Sequence, residues 1–251
     1  MLKFFRKIRQ NLLLEGKTGK YFKYAIGEIL LVVIGILIAL SINNWNENRK
    51  TASEEQLLLK DLQIDLQSNL EQLRGKQRYL TLLQSKTKIL ADDFLNKKLN
   101  QQMILKADTL VGLLQSRATF DPNEGIINEL ISSGKLRSFK NKKLRNYLSA
   151  WSSNMRDIKE TEGQLQIISH KLRDYLNTNY SFADVYGGSR LLKYPEGRTN
   201  FPTSKKDIFN DIAFENYISR LSRARSVLLN RLKEFEVSLA EVLQVLEEEI
   251  E

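Results

Sequence analysis

The chain of 251 residues contains no cysteine, a single histidine and three prolines. Without cysteine there is no disulfide scaffold, no thiolate metal cage and no cysteine nucleophile. With only His170, a multi-histidine zinc site is excluded and any histidine acid–base role falls to that one residue. So few prolines suit a chain made mostly of helices. The usual nucleotide and hydrolase signatures are also missing: there is no Gly-rich phosphate loop, no G-x-S-x-G elbow and no H-E-x-x-H. No enzyme, cofactor or metal site is therefore expected. Asp92-Asp93 and Glu247-Glu248-Glu249 lack the alternating ligand pattern of a calcium loop and read as solvated surface.

What is present is unevenly distributed. The net charge is +9, and the first 24 residues hold seven cations, Lys3, Arg6, Lys7, Arg9, Lys17, Lys20 and Lys23, against Glu15 alone. Two thirds of the excess thus sits in one short block, which points to a membrane surface and not to nucleic acid. Residues 2–13 also have helical amphipathic spacing, with Leu2, Phe5, Ile8 and Leu12 on one face, so this block is either a surface-lying helix or simply a basic flank.

From Ala25 to Ile42 the sequence reads AIGEILLVVIGILIALSI, with Glu28 its only charge. Eighteen residues at 1.5 Å rise make about 27 Å, close to the ~30 Å hydrocarbon core of a bilayer. Tyr24 before the run and Trp45 after it stand where interfacial anchors belong. Apolar residues cover all helical faces, unlike the single stripe of a soluble core helix. A cleaved signal peptide is the other alternative, because Ala39-Leu40-Ser41 resembles a small-x-small site. The long basic segment ahead of the run and Glu28 within it argue against cleavage. The expectation is a single transmembrane helix at 25–45, with a basic cytoplasmic segment at 1–24 and residues 46–251 in a periplasm, in an inner (cytoplasmic) membrane. Within the run, Gly27, Leu31, Gly35 and Ala39 recur every four residues, and Gly35 and Ala39 form a small-xxx-small pair that permits close approach of a second helix. Glu28 lies about one turn inside. It serves either a topological role, in which it reaches the interface or pairs with Lys23 or Lys20, or a partner-helix contact or proton handling.

Beyond the run the pattern is helical. Leu59, Leu62, Leu66, Leu70, Leu73, Leu80, Leu83, Leu90 and Phe94 follow steps of three and four over about 52–95. Ser53 with Gln56 makes a capping-box start, although residues 43–52 contain neither Gly nor Pro and would equally allow one continuous helix. A shorter helix is expected over 101–117. Asp121 reads as the N-cap, Pro122 as the first and Glu124 as the third position of a helix that stops at Gly134, a natural left-handed residue past a helix end. Asn141 is placed to cap a long helix over about 142–179, and another runs over about 211–251. Residues 180–206, with Gly187-Gly188, Pro195, Gly197 and Pro202, read as a long irregular crossover loop that is basic through Arg190, Lys193, Arg198, Lys205 and Lys206. The fold expected is all-α: an N-terminal transmembrane helix followed by an elongated antiparallel helical bundle.

The stretch FFRKIRQNLL…GKYFKYAIGEILLVVIGILIALSINNWNE, including Gly27, Glu28, Asn43, Asn44 and Trp45, resembles the hallmark of an uncharacterised single-pass membrane-protein family common in Bacteroidota. LISSGKLRSFKNKKLRNYLSAW (130–151) is similar to a second recurring segment of that family. Gly16 and Ser41 depart from the residues more usual there. The resemblance implies location and architecture and assigns no activity. The reading that follows is a membrane-anchored periplasmic module without catalysis. Its partners would be the lipid bilayer and a protein partner or second copy, and nucleic acid would not be one. The alternative is a sensor whose bundle holds a ligand and signals through a membrane partner.

Overall fold

The computed structural model describes residues 18–95, 107–186 and 207–250, which are helices and turns with no strand among them. The chain divides into two compact units, Met1–Leu58 and Leu59–Glu251. Lys3, Arg6, Lys7, Arg9 and Lys17 lie outside the described residues, as do 101–106 of the expected short helix and 187–206 of the expected loop.

Helix α1 spans Thr18–Leu95. It passes Ser53 without a break, so Ser53 is not a cap. No Gly or Pro stands between residues 43 and 58 to interrupt the backbone ladder. In the first unit, every residue from Ile29 to Ile42 is exposed. Further on, the Arg49 guanidinium lies 5.4 Å from the centre of the Trp45 ring, a cation–π contact.

The second unit hides its apolar stripe. All nine α1 residues from Leu59 to Phe94 that keep the three–four spacing are buried. Helix α2 (Ala107–Leu114) and helix α3 (Gly125–Ser132) are short. Helix α4 (Lys142–Asn179) starts at Asn141, whose side chain accepts the Lys143 and Leu144 amides. Helix α5 (Phe182–Tyr186) stands where irregular chain was expected. Helix α6 (Ile212–Glu249) starts at Asp211, which accepts the Ala213 amide. Both caps satisfy N–H groups that a helix start leaves without partners.

The long helices α4 and α6 pack against each other. Asn141 donates to Glu249 at 3.0 Å, while at the far ends the Tyr175 hydroxyl donates to Asp211 at 2.7 Å. Along α1, Arg74 pairs with Glu236, Gln77 donates to the Leu232 carbonyl, Gln84 donates to Ser222 and Ser226, and Phe94 packs on Phe214. As α1 advances, α6 recedes. Trp151, fully buried, meets Phe235 edge-on at 5.4 Å, with Phe120 5.9 Å from the same ring. Each such buried aromatic contributes a few kcal/mol.

The expected helix start at Asp121 is corrected by the structure: α3 begins at Gly125. Two amide side chains of α1 strap the preceding segment in extended form. Asn69 exchanges hydrogen bonds with both backbone groups of Asn123, at 2.7 and 2.8 Å, and Gln72 does the same with Asp121, at 3.2 and 2.9 Å. The Asp121 carboxylate accepts from Thr119 instead of capping. Past the end of α3, Gly134 has φ +72°, the left-handed conformation read from its sequence.

Candidate functional site

Tyr24, Gly27, Glu28, Gly35, Ala39 and Trp45 all lie on the first stretch of α1. Residues four apart drift about 40° around a helix, so Gly27, Leu31, Gly35 and Ala39 follow one winding row on which the small residues Gly35 and Ala39 are neighbours. A Cβ built on Gly27 or Gly35 would meet nothing within 4 Å. Glu28 is half-buried and interacts within the chain. Leu31, in that row, is 69% exposed, and so by half or more are Ile29, Ile34, Leu37 and Leu40 outside it. One helix among the described residues is thus long and apolar enough to cross a membrane by length and composition. Lys20 and Lys23 lie in the first turns of this helix, and Lys23 is exposed.

A second constellation was not foreseen from sequence. Arg225, on α6, is 1% exposed. Its guanidinium donates to the carbonyls of Leu83, Leu114 and Ser116 at 3.3, 3.0 and 2.9 Å, reaches Leu113 at 3.5 Å, and bonds Thr87 Oγ1. It therefore closes the C-terminus of α2, where unpaired carbonyls favour a cation. Burial pulls its pKa down to about 10, so it remains a cation at neutral pH. The readable signal was spacing: 218, 221, 225, 228 and 232 share the core face, and a cation stands at the middle position. Asn69, Gln84, Thr87 and Ser169 are also buried. Thr87 and Ser169 return their hydroxyls to carbonyls four residues back.

Other polar groups carry signs of burial. The Tyr147 hydroxyl is buried without a hydrogen-bond partner, and burial raises its pKa strongly. Burial also raises the pKa of Glu162, partly offset by the amide of Phe120, which donates to it at 2.8 Å. His170 is exposed, and its Nε2 accepts from Arg117 at 3.2 Å. Among the described residues no three His, Asp or Glu side chains gather as metal ligands. Among the described residues, two open surface clefts stand out. One, of about 570 Å³, is lined by Gly112, Gln115, Ser116, Arg173, Asn177 and Phe182. A second, of about 440 Å³, is bordered by Glu124, Met155, Arg156 and Glu160.

A family of unknown function (DUF6090) has a profile that matches residues 28–162, more than half of the chain, and the chain belongs to that family. No curated protein and no solved structure matches it.

Proposed function

We propose that this member of a family of unknown function is a membrane-anchored helical protein that works by protein–protein contact and has no catalytic step of its own. In this reading α1 crosses the bilayer once over about residues 25–45. The basic residues 1–24 stay in the cytoplasm, and residues 46–251 form an antiparallel bundle on the periplasmic side of an inner membrane. The observation that carries the reading is the exposure of Ile29 to Ile42 on every helical face. Eleven of those residues are Ile, Leu or Val. At about −0.3 to −0.6 kcal/mol each for insertion, they outweigh the roughly +3 kcal/mol set by one central carboxylate, and Glu28 lies nearer the end than the centre. Seven cations before the run and only Arg49 and Lys50 just after it favour an inside N-terminus.

The filled core of Trp151, Phe235 and the leucine stripe favours a scaffold over a bundle that encloses a ligand. The small-xxx-small pair Gly35 and Ala39 favours a second copy as one partner. The sensor reading draws support from one observation, the cleft that Arg173 and Asn177 help to line.

A reporter fused after Glu251 that fluoresces only in the cytosol, paired with one that works only outside it, tests the placement. Activity of the outside reporter is expected. Cytosolic activity, or a mature chain that starts near Ile42, would overturn it. Glu28→Leu should weaken self-association in a membrane two-hybrid assay, and an unchanged signal would remove Glu28 from the contact.

A further inference from the structure

The turn at residues 112–117 gathers arginines without a carboxylate. Arg225 approaches it from the core and holds the Ser116 carbonyl, while Ser116 itself lines the 570 Å³ cleft on the outer side. Across that cleft, Arg173 and Asn177 project from one face of α4 a turn apart, and His170 precedes them by another turn. The Arg117 guanidinium lies 3.2 Å from His170 Nε2. Among the described residues, Arg117, Arg173 and Arg225 form no ion pair. Among the described residues, the cleft lining contains no acidic side chain. Asp108, one turn before Gly112, is taken up by the Tyr180 hydroxyl at 2.6 Å, and Asp174 is turned about 100° away from Arg173 around α4.

We propose that this cleft binds a small organic oxyanion, a carboxylate or a phosphate. Half-buried Arg173 grips two of its oxygens, and Asn177 and Gln115 donate to what remains. A guanidinium fork matches the paired oxygens of either group, and a half-buried one without a counter-ion has its binding capacity unspent. Arg225 adds to the attraction, because its buried charge faces only neutral oxygens and the field of that charge is poorly screened. The Phe182 ring offers an apolar wall for the carbon part of the ligand. Neither membrane anchoring nor helix–helix contact requires such a site.

The full chain in detergent micelles would be titrated with inorganic phosphate and, separately, with benzoate, each against chloride at equal ionic strength, and followed by calorimetry and melting temperature. A saturable response to at least one anion is expected. A response to phosphate alone assigns the phosphate class, and one to benzoate alone assigns the carboxylate class. Arg173→Gln should weaken binding at least tenfold. Gln115→Glu places a carboxylate in the cleft, so it should abolish binding and raise the melting temperature without added anion. It carries the test if the arginine variant does not fold. No saturable response to either anion, or unchanged affinity in both variants, would overturn the proposal. Membrane partitioning should be the same in all variants, which separates loss of the anion site from loss of anchoring.

Discussion

Replacing Arg225 by methionine keeps most of the aliphatic stem and removes the guanidinium. The stem packs in a core where the residue is 1% exposed, so the apolar loss is small. What changes is the fate of the oxygens it serves. The carbonyls of Leu114 and Ser116 accept from Nη2 at 3.0 and 2.9 Å, and both belong to the end of α2, where the helix offers them no partner of its own. Each buried acceptor left unmade costs about 1–3 kcal/mol. Against this, the variant no longer buries a charge, which returns a few kcal/mol of desolvation. Because the acceptors stay behind while the donor goes, the balance is a loss of about 2–4 kcal/mol. In a unit of this size that lowers the melting temperature by roughly 5–15 °C. Hydrogen exchange should locate the damage: amides in 107–120 lose protection, while those in the middle of α4 follow global unfolding only. Arg225→Lys should fall between the two, since one ammonium cannot reach the separate oxygens of a planar fork. The guanidinium titrates near pH 10 in the folded chain and higher when unfolded, so both states hold the proton below that. The difference between wild type and variant should therefore be flat from about pH 6 to about pH 9. A melting temperature within ~1 °C of wild type with unchanged exchange in 107–120 would refute the assignment.

Tyr147→Phe removes a buried hydroxyl that has no partner, so stability should rise by up to about 1 kcal/mol in chemical denaturation; a loss of more than that would mean the hydroxyl is satisfied. Glu162 has its folded pKa raised by burial, so the folded state binds the proton more tightly than the unfolded one and stability falls as pH rises from the unfolded pKa to the folded one. Glu162→Gln keeps the acceptor for the Phe120 amide and should flatten that slope in melts across the acid range, with the variant's advantage growing toward neutral pH. An undiminished slope would place the titration elsewhere. Asn141→Ala deletes the cap of α4 together with the bond to Glu249, at a cost of about 1 kcal/mol, to be read by urea denaturation.

The sequence carried the apolar periodicity of α1 from Leu59 to Phe94. The α1 positions from Leu59 to Phe94 are buried because a three–four rhythm leaves one stripe for the core, and that rhythm is local information. The Asn141 cap and the left-handed Gly134 were legible for the same reason, each resting on a few neighbouring residues. The Asp121 start was misread because its competitors were remote. Asn69 and Gln72 look like surface amides in their own neighbourhood, yet they stand 54 and 49 residues before the backbone groups they strap. Arg225 was missed for a related reason: nothing near it in sequence announces the carbonyls of 113–116 that make a buried cation tolerable.

The two units pose opposite solvent problems. In the second, the aliphatic stripe is covered by the chain itself, and the polar side chains that share the interior mostly find oxygens or amides to bond. In the first, eleven Ile, Leu and Val side chains between Ile29 and Ile42 find nothing. Full burial of each is worth about 1.5–3 kcal/mol, so leaving them in water forfeits roughly as much as, or more than, the 5–15 kcal/mol that holds an ordinary domain together. An exposed apolar surface on that scale requires lipid or a partner chain to cover it. The proposed membrane placement meets that requirement, because apolar residues on every face suit a medium that surrounds the helix, whereas a partner helix needs one seam. Under the same proposal, the small-xxx-small pair Gly35 and Ala39 would make a contact within that medium, where small residues and not apolar bulk bring helices together.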